Sequence, residues 1–437
     1  MSYFYLYEDK LVIFYESFIH ALQEQGNEVL FLNTTGYLQS PWNGGNELKE
    51  TIDESSLVQK VIDFEPDLCI SFNNSIPSAI VSNIHTPIVL WHGDTFMYFN
   101  GKDELKSNPD RYYYVCPFQR DIDTLKEEIN PTNSKILNLL PATSIKREEK
   151  AKDDNVSFIG SLFQYHDFES KLRDITDRSN IIDANLALKN NPLLNFEDAC
   201  TDANCSEIIS SLSYDDLITF SSVQDRNMTL AALHDLGLKI YGKSPYFDWL
   251  SIGRFLPNVG LCVSDEDVFS LKHNQDIYNK STVSLSVSHA QAAEGFPWRV
   301  FDVMASGSCL LSDYRGGISD FTKGYVDIPM FRDPFESRKL CKDLLSNTEW
   351  REEIILGSNA CIEDKGRWHH RFRDIGEAVG VSLLNPEVGI GGSTQLFSCE
   401  FVAPCEDSPD AGNIYTRYKD NRYINKFLSF SRKLKRF

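Results

Sequence analysis

The chain has 437 residues, with 63 Asp and Glu against 43 Lys and Arg, a formal net charge of −20, and 42% hydrophobic and 12% aromatic residues. That length exceeds one ordinary core and predicts two domains. An acidic surface without a Lys/Arg stripe in its first four hundred residues excludes general nucleic-acid binding. The ten cysteines stand singly, with no CxxC pair and no zinc-type spacing, which predicts a reduced, cytoplasmic compartment. The opening residues lack a basic region followed by an apolar run, and no stretch approaches the ~18 continuous apolar residues of a membrane span, so neither a standard signal peptide nor a bilayer crossing is expected.

In chain order, a helical pattern over Tyr15 to Gln25 precedes an apolar run over Glu28 to Asn33, and a helix over Ser56 to Phe64 precedes a strand over Asp67 to Ser71. Strands follow over Pro87 to Trp91, Arg111 to Cys116 and Lys135 to Leu140. This alternation is the βαβ rhythm of a parallel sheet, and the first domain is expected to end in the charged stretch Lys146 to Asp154. A second series begins with Asn155 to Gly160 and continues through Leu238 to Gly242, Val283 to Val287 and Ser308 to Ser312, with a helix over Arg299 to Ala305 between the last two. The fold class predicted is α/β, with two Rossmann-like, doubly wound domains facing a cleft. Residues 1–150 are expected to form the first domain, 151–385 the second, and 386–437 a linker with a basic tail. Residues 165–235 read as mostly helical and polar, without an assignable organisation.

Ligands in such folds bind beyond the carboxyl ends of the strands. The densest chemistry falls there, in EGFPWRVFDVMASG (residues 294–307), where a strand, a Gly/Pro loop and a helix start follow one another. Free N–H groups at that helix start suit a phosphate. Arg299 adds a charge-assisted contact, and Asp302 offers the acceptor pair that two vicinal hydroxyls need. The plainer reading of Glu294, Arg299 and Asp302 is an N-terminal capping carboxylate on an ordinary amphipathic helix.

This segment, with LLSD at 310–313, resembles the nucleotide-sugar signature of GT-B glycosyltransferases, particularly the CgeB-like and related group 1 bacterial enzymes. The spacing from Glu294 to Asp302 is similar to the Glu-(seven residues)-Glu motif of retaining members, with Asp in the second place. The resemblance implies that Glu294 and Gly295 face the donor sugar or diphosphate and Asp302 the ribose. It extends more weakly through FYESFIHALQEQGNEV (14–29), FEPDLCI (64–70), IVLWHGD (88–94), VSFIGS (156–161) and RWHHR (367–371), over about 350 residues in all.

In WHGD (91–94), His92 or Asp94 is placed to take a hydroxyl proton from an acceptor, the alternative being a turn capped by Asp94. Gly160 and Ser161, and Gly242 and Lys243, both follow buried strands and suit a diphosphate, or are plain strand-to-helix turns. Asn43-Gly44-Gly45 reads as a surface turn, and His369 and His370 as a solvated helix end, since neighbouring side chains on a helix point apart. No metal site is expected, because no Asp-x-Asp stands in a strand-end context: Asp265-Glu266-Asp267 follows a loop-like stretch. The last 21 residues, Arg417 to Phe437, hold eight basic residues and one acid, with Phe427, Phe430 and Leu434 at helical spacing. They suit an anionic membrane surface, or form a solubilising tail.

Together these readings predict a metal-independent glycosyltransferase without a resident cofactor, cytoplasmic and peripheral at the inner face of the membrane. It moves a sugar from a nucleotide-sugar donor to a hydroxyl of a glycan or lipid-linked acceptor in bacterial surface polysaccharide synthesis. The rivals are a CMP-sugar (Kdo-type) transferase, a GT-B epimerase, and a non-catalytic glycan-binding or scaffold module.

Overall fold

The computed structural model describes residues 13–33, 51–52, 54–74, 76–93, 102–161, 183–184, 186–187, 214–242, 256–268, 270–385, 392, 394–398 and 401–402. The first half runs α1 (Ile13–Glu24), β1 (Val29–Asn33), β2 (Thr51–Ile52), α2 (Glu54–Phe64), β3 (Cys69–Phe72), α3 (Ser78–Asn83), β4 (Ile88–Trp91), α4 (Lys102–Ser107), β5 (Tyr112–Val115), α5 (Gln119–Glu128) and β6 (Ile136–Leu137). The second runs β7 (Asp154–Ile159), α6 (Tyr214–Leu233), β8 (Leu238–Gly242), α7 (Pro257–Gly260), β9 (Val263–Asp267), α8 (Leu271–Lys280), β10 (Ser281–Ser286), α9 (Arg299–Met304), β11 (Cys309–Asp313), α10 (Gly316–Thr322), β12 (Met330–Phe331), α11 (Pro334–Ser346), α12 (Thr348–Lys365) and α13 (Trp368–Val379). Two short strands, β13 (Thr394–Ser398) and β14 (Phe401–Val402), close the described chain.

Two parallel sheets result, as expected. The second has six strands in the order β12-β11-β10-β7-β8-β9, all parallel, so the chain winds outward from β7 to one edge and then from β10 to the other. The first holds β3-β4-β5-β6, also parallel. All four residues of β4, Ile-Val-Leu-Trp, are buried, the pattern of a strand covered on both faces. In β10 the sequence STVSLS puts hydroxyls in the core, and they satisfy one another: Ser284 bridges Ser157 and Ser308, each at 2.8 Å.

Two expectations change. Asp265, Glu266 and Asp267, expected after a loop-like stretch, lie in edge strand β9, where Asp265 and Glu266 are exposed. Within the stretch read as a linker, Thr394–Ser398 pairs in parallel with β1 and Phe401–Val402 pairs antiparallel with β2. The chain therefore returns to the first half after the second is complete. Of residues 165–235, the described part contains the 20-residue helix α6.

Helix α13 carries that return. Trp368 and Phe372 stack at 6.0 Å and insert among Phe18, Phe72 and Trp91, with Phe18–Trp368 centroids 5.1 Å apart. Trp368 Nε1 donates to Ser17 Oγ at 2.9 Å, and Glu16 on α1 accepts the Leu271 N–H at the start of α8 at 2.7 Å. A 520 Å³ cavity lies between β1 and β3, lined by residues such as Phe31, Ile70 and Leu22. None of Glu294, Arg299 or Asp302 borders it. Apolar side chains on both flanks suit packing there rather than sugar chemistry.

Candidate active site

At the carboxyl end of β10 the chain enters a loop, residues 287–298, that is fixed from two sides. Asp313, at the end of β11, accepts hydrogen bonds from the Ser288 N–H at 3.0 Å and the Ser288 hydroxyl at 2.9 Å. Arg315 donates from Nε to Asp313 at 2.8 Å and from Nη1 to the Ala293 carbonyl at 2.6 Å. Ala293 has φ = 45°, a left-handed conformation costing roughly 1–2 kcal/mol for a residue with a Cβ, and the Arg315 bond holds it there. The Glu294 carbonyl accepts the Gly317 N–H at 2.9 Å, and a Cβ on Gly317 would meet that oxygen at 2.9 Å. The close approach requires glycine.

This bracing fixes the backbone at Glu294, whose side chain is half-buried. Its Oε2 is enclosed and has no hydrogen-bond partner among the described residues. Gly295 lies under the Phe118 ring of the first half, so close that a Cβ there would stand 2.4 Å from the ring. Phe118 also packs on Phe296, centroids 5.7 Å apart.

Arg299 opens α9 and runs toward the end of β7. Its guanidinium lies 5.3 Å from the Phe158 ring centroid, and one nitrogen sits 3.1 Å from where a Cβ on Gly160 would be. Gly160 thus admits the guanidinium, while its N–H donates to the Tyr241 carbonyl at 2.9 Å. Arg299 Nη1 is buried without a hydrogen-bond partner among the described residues. Its charge acts on the buried carboxyl of Asp302 and on the Tyr278 hydroxyl, so the guanidinium sits among polar groups at the ends of parallel strands.

The leading end of α9 differs from expectation. The helix has only six residues, and Val300, Phe301 and Asp302 N–H groups already bond to the Pro297 and Trp298 carbonyls. It therefore offers few free donors to a phosphate, and Arg299 is its principal polar group. Trp298 packs edge-on against Phe72 of the first half, centroids 6.2 Å apart.

Asp302 is likewise placed differently from a solvent-facing ribose acceptor. Its Oδ1 accepts the Thr143 hydroxyl at 2.6 Å, from the segment joining the halves. Burial pushes its carboxyl up to about 7, against the lowering effects of the Thr143 hydrogen bond, Arg299 and Arg367. A carboxyl raised above its unfolded value stabilises the fold fully below that value, near 3.8, and loses the contribution as pH rises through about 7. Wild-type protein is expected to lose roughly 2–4 kcal/mol between pH 4 and 8 from this group. Asp302→Asn keeps an acceptor for Thr143 and removes the titration, so its urea midpoints at the two pH values should converge relative to wild type. An unchanged slope in the variant counts against this assignment.

Of the other expected residues, His92 is 1% exposed, and burial pushes its ring down to about 3. It stays neutral but enclosed, and the adjoining Gly93 N–H is held by Asn73 Oδ1 at 2.8 Å. This placement corrects the view of His92 as a group reaching an acceptor hydroxyl. Ser161 is exposed, with its carbonyl bonded by Arg226, which also donates to the Val287 carbonyl at 2.7 Å. Gly242 ends β8 where the pairing register shifts. Asp94, Lys243, Asn43 to Gly45 and the tail Arg417–Phe437 lie outside the described residues. Among the described residues, no group of three or more His, Cys, Asp or Glu is placed to hold a metal ion, and no helix is long and apolar enough to cross a membrane.

Several residues of this region escaped the sequence reading. Asp121, in the first turn of α5, feels Glu294; burial first and that carboxylate second push its carboxyl up to about 7. His289 is pushed down to about 3 by burial, then by Arg226 and Arg315. The only sequence signal for Asp121 was an acid just after the apolar strand YYYV.

The fold is α/β, with a parallel sheet of sequential order in the first half and a doubly wound parallel sheet in the second. Residues 226–377, which run from within α6 through most of α13 and include the whole 287–298 loop, match the family model described as Glycosyl transferase-like. No curated protein sequence matches the chain. Among solved structures, the chain is similar to Anabaena Alr3699/HepE in complex with UDP-glucose, at 11% identity over 78% of this chain and 84% of that one, TM-score 0.43. It is similar to sucrose-phosphate synthase from Thermosynechococcus elongatus, at 9% identity over 74% and 75%, TM-score 0.46. A glycosyltransferase from Rickettsia africae is similar at 9% identity over 75% and 79%, TM-score 0.45.

Proposed function

We propose that this protein transfers a sugar from a nucleotide-sugar donor, with a UDP-type donor preferred, to a hydroxyl of a glycan or lipid-linked acceptor. The observation that carries the reading is that Glu294 Oε2 and Arg299 Nη1 are each enclosed without a hydrogen-bond partner among the described residues, within a segment that matches a glycosyl transferase-like family. In this reading Arg299 takes the diphosphate charge that develops as the glycosidic bond breaks, and Glu294 and Gly295 meet the sugar. Gly160, Ser161, Gly242 and Lys243 border the diphosphate. Asp302 reaches the ribose with the oxygen that Thr143 leaves, or acts only as a strut between the halves.

Residues 1–150 form the acceptor side and 151–385 the donor side, and the departing charge needs no metal ion. The basic tail holds the enzyme at an anionic inner membrane surface, where lipid-linked acceptors of surface polysaccharide synthesis are presented. Closure of the halves excludes water that would otherwise hydrolyse the donor.

Thermal shift with nucleotides and nucleotide sugars tests the proposal. UDP compounds at a hundred times their dissociation constant should stabilise the protein by about 2.7 kcal/mol. Stabilisation by CMP compounds alone would move the assignment to a CMP-sugar transferase. Stabilisation without any donor turnover, in the presence or absence of acceptor glycans, would leave a binding module.

A further inference from the structure

We propose that Asp121, in the first turn of α5, takes the proton of the acceptor hydroxyl, Phe118 holding that turn against the loop that carries Glu294; the inference rests on the glycosyl-transfer reading above. Three observations place it. Phe118 precedes α5 and presses on Gly295 and Phe296, so the first turn of α5 is held against the loop that carries Glu294. Asp121 and Glu294 interact through their charges, one from each half of the molecule. His92, the other described proton acceptor anticipated on the first half, is 1% exposed and enclosed.

The chemistry suits the place. The acceptor O–H bond breaks and its proton passes to the Asp121 carboxylate. The freed oxygen pair forms the bond to the anomeric carbon, and the bond from that carbon to the diphosphate breaks with its electron pair leaving on the nucleoside diphosphate. Atoms and charge balance with no further reactant, and the proton is released from Asp121 to water afterwards.

The charged and titratable groups around Asp121 fix the direction of its pH dependence. Glu294 faces it from the 287–298 loop, and Cys116 lies at the end of β5, its thiol held well above its usual range by burial. Arg120, on the same helix, pulls the other way, while the Lys102–Glu128 pair at 3.5 Å sits at the far end of α5. Burial and the Glu294 charge both favour the protonated acid, so Asp121 becomes a base as pH rises through about 7.

The experiment is kcat/KM for sugar transfer against pH, with donor-induced thermal stabilisation measured in parallel. Asp121→Asn should lower kcat by about 10²- to 10⁴-fold and leave donor stabilisation unchanged. Asp121→Glu should recover part of the rate. Glu294→Gln, used only for the position of the acidic limb, should move that limb to lower pH because the neighbouring charge is gone. An Asp121→Asn enzyme with wild-type rate and profile, or an acidic limb unmoved in Glu294→Gln, overturns the role of Asp121 while active wild type upholds the transfer reading. Wild type that is neither stabilised nor active with any nucleotide sugar overturns both.

Discussion

Arg299→Met is expected to lower kcat for sugar transfer by roughly 10²- to 10³-fold while the protein remains folded, the loss typical of removing one donor aimed at developing negative charge. The side chain lies between Gly160 and Phe158, and its Nη1 is enclosed with no partner among the described residues, so the guanidinium is the one strong donor standing ready there. Methionine fills a similar volume against Phe158 without the charge. Desolvation of the guanidinium and its attraction to the Asp302 carboxyl oppose one another, so the variant should stay within about 1–2 kcal/mol of wild type in stability. Arg299→Lys retains charge but loses the planar fork, and should recover only part of the rate. Steady-state kinetics with saturating donor, beside a urea melt, separate the effects. A variant that is destabilised and yet fully active would show that Arg299 supports the fold rather than the leaving group.

The second large effect is structural. Arg371→Met is expected to destabilise the protein by about 3–5 kcal/mol, read as a lower urea midpoint, with transfer activity falling only as folded protein is lost. Arg371 is 7% exposed and donates to three carbonyls: Leu140 at 2.6 Å, Pro141 at 3.2 Å and Lys365 at 2.8 Å. The first two belong to the segment between the halves, the third to the end of α12. Arg367 continues the clamp by donating to the Thr143 carbonyl at 3.3 Å, and the Thr143 N–H bonds to the Gly366 carbonyl at 3.1 Å. Losing one guanidinium therefore leaves several enclosed carbonyls unmatched at once. A midpoint within error of wild type would mean that water replaces these bonds without cost.

These two arginines show how differently the sequence spoke about chemistry and about assembly. Arg299 was legible, because a Gly/Pro loop, a basic residue and an acid three positions on followed a predicted strand. RWHHR was noticed only as a family-like motif, and nothing in its spacing disclosed that both arginines fasten a segment more than two hundred residues away. Thr143 offered no signal at all; its bond to Asp302 joins positions 159 residues apart. Residue type and helical spacing suggested a ribose acceptor at Asp302, but spacing is silent on the Thr143 hydroxyl that bonds its Oδ1.

Local order was settled by the chain itself. Short apolar runs such as Ile88–Trp91 and Cys309–Asp313, bounded by turn residues and alternating with helical patterns, suit strands buried on both faces of a parallel sheet, and two such series pointed to two sheets. Tertiary structure alone decided what crosses between them: the return of β13 to β1, Phe118 lying on Gly295, the enclosure of His92 and the facing carboxyls of Asp121 and Glu294. Periodicity reports which side of an element is buried and nothing of what covers it. The proton affinity of Asp121 and the unmatched charge of Arg299 depend on that cover, because desolvation and Coulomb terms follow distances in space that sequence separation does not encode.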